Sequence, residues 1–331
     1  MSLPKVPDVF QFLIRDCAVI FMLHRFEGPD QDVCHPDVLR NTLGYLRRKG
    51  YKVVPLSTVF RRLAEGTVLT KHIVFTMDDG YKDLALIAPV FAEFDCPVTS
   101  FLTTGFLDGK VWMWWDRIAF IIRRTDRSHL DIAVGAAVTR YSVCSSPLKE
   151  SAIQDLVARC KKLGEQEKLS LIENLAVTAD VELPSHPPDD CSPLTWDDVR
   201  RCEQSGIEFA PHTVTHPILS RTSPDQCAFE IRESWSRLKA ETARPVPIFC
   251  YPNGLCGDFG PREFRVLANL GFEGAVVGWN GYASATAFNA TEDARFQVPR
   301  FGMPTEFVDL AQRVNGVERA KHILRRGLSG R

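Results

Sequence analysis

Short apolar runs ending in turn or polar residues alternate along this chain with stretches of helical period, and that alternation is the strongest constraint on its fold. CAVIFMLHRF (17–26), YKVVPL (51–56), KHIVFTMDD (71–79) and PVTSFLTT (97–104) read as strands. HPDVLRNTLGYLRRKG (35–50) reads as a helix with Leu39, Leu43 and Leu46 on one face and Gly50 as its stop, and DLALIAPVFAEF (83–94) reads as another. The rhythm resumes with TWDDVRRCEQSG (195–206), where Thr195 suits an N-cap. IEFAPHTVTH is then a strand running into a loop, DQCAFEIRESWSRLKAET a helix, and PIFCYPNG, EGAVVGW and QVPRFGM the last strands. Such a series predicts β/α units around a mostly parallel sheet.

Between them, residues 105–193 break the pattern: an aromatic, amphipathic VWMWWDRIAFIIRR, a charged helical stretch, and the proline-rich LPSHPPDDCSP. We read the chain as a single domain over 1–331 carrying 105–193 as a helical and aromatic insertion, because its helices look too few to bury a core alone. A chain of 331 residues with a net charge of −1 has room for one such barrel and offers no basic stripe for nucleic acid. The basic tail KHILRRGLSGR reads as a solvated helix end, and ten cysteines without a C-x-x-C pair read as scattered reduced thiols. The apolar N-terminal stretch is broken by Arg15 and Asp16, which argues against an export signal or a membrane span. The expected setting is the cytoplasm.

Polar residues collect at the C-terminal ends of the expected strands: His24, Asp78, Asp79, His212, Asn253, Trp279 and Arg300. Barrels and open α/β sheets place their active sites on that edge. A lone DDG is commonly a turn or a helix N-cap. Two adjacent carboxylates nevertheless repel, and HTVTH places His212 and His216 four residues apart, so a tight turn or helix would aim both imidazoles the same way. Two histidines and one carboxylate make a three-ligand metal site with a position left for water. The ion would neutralise one aspartate, and the other would stay ionised as a general base. The glutamate of H-E-x-x-H is missing, which argues against a zincin-type peptidase.

TMDDG followed by HTVTH, with CYPNG further on and FMLHRF near the start, resembles the polysaccharide deacetylases of carbohydrate esterase family 4 over residues 17–104 and 194–302. The resemblance implies a distorted (β/α) barrel and hydrolysis of an N-acetyl group from a sugar. It implies Asp78 as catalytic base, Asp79, His212 and His216 as ligands of a divalent metal (Zn²⁺ first, with Co²⁺, Ni²⁺ or Fe²⁺ as alternatives), and the Asn253 backbone N–H as an oxyanion donor. Two features depart from the family. Cys250 stands where many members carry the arginine that orients the base, leaving Arg25 and Arg300 as candidates for that charge. No C-terminal histidine matches the usual leaving-group acid well; His322 lies in the basic tail, and His24 is better placed. Trp114 and Trp115 of WMWWDR are candidates to cover a sugar face, or else pack the insertion against the barrel. Tyr251, Pro252, Trp279 and Arg300 complete the expected substrate contacts. The expected partner is an N-acetylated sugar and not a nucleic acid; no transmembrane segment is expected in the chain, and peripheral contact with a membrane-linked glycan is allowed. The alternatives are a catalytically inactive carbohydrate-binding barrel and a deformylase or amidase with the same metal chemistry.

Overall fold

The computed structural model describes residues 10–26, 34–135 and 137–329, with side chains as far as residue 324. Residues 1–9 of the N-terminal stretch and the last two residues of the basic tail lie outside it. The strands are β1 (Cys17–Leu23), β2 (Lys52–Val53), β3 (His72–Met77), β4 (Val98–Leu102), β5 (His129–Val134), β6 (Ala137–Ser142), β7 (Glu208–Pro211), β8 (Ile248–Cys250), β9 (Gly274–Val276), β10 (Ala283–Ser284) and β11 (Phe301–Gly302).

Parallel pairing runs β1–β3–β4–β7, then β8–β9, and β11 returns to β1. Two single bridges complete the circuit: Phe209 pairs with Pro245 ahead of β8, and Val276 of β9 pairs with Val298 ahead of β11. The result is the expected distorted (β/α) barrel, with full ladders on one side and single-residue joins on the other. Helices such as Pro36–Arg48, Asp83–Ala92, Trp196–Gln204 and Pro224–Glu241 follow the strands. Thr195 caps Trp196–Gln204 through a reciprocal box with Asp198, and Gly50 ends Pro36–Arg48 at φ +71°. YKVVPL supplies two strand residues and then turns into the helix Leu56–Ala64.

Side chains alternate along a strand, and the alternation sorts the core. Ala18, Ile20, Val74, Phe101, Ala210, Ile248, Cys250 and Val276 form one buried cluster, joined by Leu56 and Phe60 of the helix Leu56–Ala64. The alternate residues Val19, Phe21, Ile73, Phe75 and Leu102 pack against surrounding helices in another. Every residue of β3 is buried, as a strand covered on both faces requires.

The insertion buries more than its helices promised. Trp114–Arg124, Ser146–Cys160 and Glu165–Ala179 pack with a hairpin formed by β5 and β6, and together they hide Trp114, Ile118, Ile122, Leu130, Ile132, Leu156, Ile172 and Leu175. The hairpin was the missing layer, and its signal was legible: HLDIAV alternates exposed and buried residues up to Gly135 at φ +60°. Among the described residues no helix is long and apolar enough to cross a membrane.

Candidate active site

Asp78 follows β3 directly, and its N–H donates to Leu23 O, so the alternation of the strand carries one residue beyond its end. Asp78 therefore shares the inward face of Val74 and Thr76. Asp79 breaks the pattern at φ +77° and Gly80 follows at φ +93°, which turns the chain sharply over the rim. Asp79 joins Thr213 (φ +67°), His216 (φ +59°) and Asn253 (φ +61°) among non-glycine residues in the left-handed region. A cluster of such strained residues marks a functional rim.

The HTVTH segment is a turn rather than a helix, anchored by a residue that motif reading passed over. Glu230, fully buried on the helix Pro224–Glu241, accepts from the N–H groups of Val214 (2.8 Å) and Thr215 (2.9 Å), and from the Thr215 hydroxyl (2.6 Å). Thr213 Oγ1 accepts from the His216 N–H at 3.0 Å. A buried carboxylate of this kind leaves a trace in sequence as a glutamate on the apolar face of an amphipathic helix. Replacing Glu230 with Ala should cost at least about 2 kcal/mol, because the Val214 and Thr215 donors lose a charged acceptor; urea unfolding curves would measure it.

The three expected ligands converge. His216 Nε2 lies 3.2 Å and His212 Nε2 3.5 Å from Asp79 Oδ1, and the two Nε2 atoms are 3.1 Å apart. All three residues are buried. His212 Nδ1–H donates to Cys250 O at 2.8 Å, which leaves the Nε2 lone pair facing the others. Donor atoms about 2.0–2.1 Å from a tetrahedral ion stand roughly 3.3–3.4 Å from one another, so the spacing and chemistry of this set fit one divalent cation. The local electrostatics agree. Burial pushes the Asp79 carboxyl up, but hydrogen bonds from both imidazoles outweigh it and hold the group well below the usual range. Burial pushes His216 down to about 4, so its ring is neutral and able to ligate. For His212, burial acts downward, but Cys250 and then Asp79 pull the other way and leave it raised. Two imidazole nitrogens and one carboxylate oxygen thus face one another, the place a cation would take.

Asp78 stands beside this set with a different partner. Arg300 Nη1 and Nη2 donate to its two oxygens at 2.7 and 2.8 Å, both residues being buried. Burial pushes Asp78 up, yet the charge and paired hydrogen bonds of Arg300 hold it below the ordinary carboxylate range. Arg300 also donates to Thr76 Oγ1 (3.0 Å), Val277 O (3.1 Å) and Cys250 Sγ (3.1 Å). Expected both as a substrate contact and as a candidate for the charge beside the base, it gives its guanidinium to Asp78 and the barrel wall. Arg25, the other candidate, pairs with Asp83 at 3.0 Å.

The remaining residues divide. His24, Arg25, Trp114, Trp115, Tyr251, Asn253 and Arg300 line a cleft of about 610 Å³ together with the two aspartates and two histidines. His24 Nε2 is 4.0 Å from Asp78 Oδ2, and its side chain is about a third exposed. The Asn253 side chain donates to Asp258 at 2.5 Å, and Leu255 N–H donates to the same carboxylate, fixing the turn. Gly278 packs so close behind that a Cβ there would come within 2.5 Å of Asn253 O. Trp114 sits in the insertion core with Lys168 over its ring, while half-buried Trp115 faces the cleft. Trp279 is placed differently from the expectation. It stacks on Phe259, whose ring stacks in turn on Tyr251, and neither Trp279 nor Pro252 lines the cleft. His322 is exposed on the terminal helix Val317–Ser329 and also does not line it. A larger groove of about 1010 Å³ beside Phe60 and Phe288 gathers no comparable set.

A parallel β/α barrel whose C-terminal rim joins one carboxylate and two imidazoles, next to a second carboxylate held by arginine, has the parts of a hydrolytic centre. The polysaccharide deacetylase profile matches residues 65–275, more than half of the chain, and the chain belongs to that family. No protein of curated function matches the sequence. Among solved structures, the fold is similar to the Streptococcus pyogenes deacetylase PplD in complex with acetate (TM-score 0.58, 17% identity, covering 90% of this chain and 98% of that one). It is also similar to IcaB from Ammonifex degensii (TM-score 0.56, 15% identity, 91% and 96% covered). A third match is a de-N-acetylase from Aggregatibacter actinomycetemcomitans (TM-score 0.54, 14% identity, 88% and 96% covered).

Proposed function

We propose that this deacetylase is a metal-dependent hydrolase that removes the N-acetyl group of an amino sugar, with Zn²⁺ held by Asp79, His212 and His216. The observation that carries the reading is the convergence of those three donor atoms beside an Asp78 kept ionised by Arg300. When bound, a divalent ion supplies Lewis acidity that acidifies water and polarises a carbonyl. Asp78 accepts the proton of the attacking water, since Arg300 holds it charged and aimed into the cleft. The Asn253 N–H, unspent in any hydrogen bond among the described residues, donates to the oxygen that gains charge as the carbonyl is attacked. The C–N bond then breaks, and His24 delivers a proton to the leaving amine from the open side of Asp78. Trp115 offers its face to the sugar ring. The substrate we favour is an N-acetylated oligosaccharide or lipid-linked glycan precursor, taken in a cleft walled partly by the insertion.

Two variants test the centre without a substrate. Asp79→Ala and His212→Ala should each lose the roughly one zinc per chain that the native protein carries, measured by elemental analysis. A native protein that takes up no zinc, cobalt, nickel or iron would remove the reading. Acetate release from chitooligosaccharides and from lipid-linked sugars tests the substrate, and release from finished polymer alone would exclude the precursor. A metal-loaded protein that releases no acetate from any of them would favour a silent, sugar-binding barrel.

A further inference from the structure

The two histidines of the centre are not held alike. His212 is fixed through Nδ1–H on Cys250 O, but His216 Nδ1 is buried and has no hydrogen-bond partner among the described residues. A metal-ligating imidazole ordinarily gives that second nitrogen to a carboxylate, carbonyl or water that sets its orientation. His216 also sits on strained backbone, at φ +59°.

Among the aromatic rings of the described residues, two meet it: His212, and Trp115 at 4.7 Å between centroids in an edge-to-face arrangement. Trp115 belongs to the insertion, in the first turn of the helix Trp114–Arg124. It is itself tethered. Trp115 Nε1–H donates to Tyr81 Oη at 3.0 Å, and the Tyr81 hydroxyl donates to Asp116 Oδ2 at 2.7 Å. Tyr81 stands two residues after Asp79, fully buried, with the Arg25 guanidinium 4.2 Å above its ring. The far end of the insertion closes on the same segment: Lys82 N–H donates to Ser192 O, and Leu194 N–H to Gly80 O. Both ends of the insertion are therefore fastened to the loop that carries the aspartate pair.

The geometry points to Trp115 as a positioning residue for His216, held in place by Tyr81 and Asp116, so that the insertion builds one side of the metal centre as well as walling the cleft. The inference rests on the metal-dependent reading above. It makes the ring of Trp115 stand in for the missing hydrogen bond, with the Tyr81 hydroxyl keeping that ring from turning away.

The test is zinc affinity by competition with a chromophoric chelator, measured on the full chain for the native protein, Trp115→Leu, Trp115→Phe and Tyr81→Phe, with His212→Ala as reference. Apo-protein melting temperatures are recorded alongside. Removal of an orienting partner of this kind costs roughly 10–100-fold in metal affinity, so Trp115→Leu should weaken zinc by about that factor. Tyr81→Phe should do so by a smaller one, and Trp115→Phe, which keeps a ring against His216, should recover part of the loss. Zinc affinities within twofold of native in both Trp115→Leu and Tyr81→Phe would overturn the inference while leaving the metal centre standing. So would a loss in Trp115→Leu whose apo protein shows no cooperative melting transition, if Trp115→Phe and Tyr81→Phe bind zinc like the native chain. A native protein that binds no zinc overturns both readings at once. If His212→Ala binds zinc as tightly as the native chain, the bound zinc sits elsewhere and both fall again.

Discussion

Replacing Asp78 with Asn should lower acetate release by roughly 10²–10⁴-fold, the span general-base catalysis supplies, while zinc content stays at the native level. The separation follows from the geometry. Asp78 binds Arg300 through both oxygens, whereas the three donor atoms that face one another belong to Asp79, His212 and His216. Asparagine keeps the shape and can still accept from Arg300, but it cannot take a proton from water. Single-turnover kinetics with elemental analysis on the same preparation would measure both quantities. Loss of zinc along with activity would mean that Asp78 is a ligand, a possibility the placement of Asp78 near His212 and Cys250 makes worth testing.

The second large effect concerns Arg300. Arg300→Met removes the partner of a buried carboxylate and should destabilise the protein by about 3–5 kcal/mol, since an uncompensated charge remains inside the barrel. The pH dependence fixes the sign. In the native protein the Asp78 pKa is lowered, so its contribution to stability is present above the unfolded carboxyl value of about 3.9 and is lost as pH falls through the folded value. Without Arg300 the burial that already pushes Asp78 upward is opposed only by the weaker pulls of His212 and His24. The folded pKa then rises above the unfolded one, and Asp78 costs stability as pH climbs past about 4. The gap between native and variant should therefore widen from pH 4 to pH 7 in urea unfolding. Adding Asp78→Asn to Arg300→Met should close much of it at neutral pH. A gap independent of pH would show that Arg300 stabilises by packing against Phe101, 5.6 Å from its guanidinium, and not through Asp78.

The sequence carried the barrel because its signal is local. Strand alternation, a capping box at Thr195 and a left-handed stop at Gly50 are each set by a few neighbouring residues. The pairing of TMDDG with HTVTH likewise offered two histidines and one carboxylate of the aspartate pair, since the chemistry of a three-ligand site restricts residue types, and the family resemblance singled out Asp79 within the pair. The hairpin of β5 and β6 is equally local, but it lies inside a stretch dominated by helices, and those helices alone are too few to bury a core. Trp279 was placed at the cleft by position in the chain, and a stacked partner, Phe259, draws its ring elsewhere.

Length and periodicity by themselves determined a parallel β/α framework, and the TMDDG and HTVTH motifs together supplied the carboxylates and imidazoles that meet at its rim. The tertiary structure decided the partnerships: Arg300 with Asp78 across 222 residues of sequence, Glu230 with the HTVTH turn, and Trp115 with His216. Such pairs have no periodic signature, because they join separate strand ends and helices through barrel closure. A buried carboxylate needs a partner wherever the fold brings a cation near it. At this rim, Cys250 leaves the place free and Arg300, just ahead of the last strand, arrives to fill it.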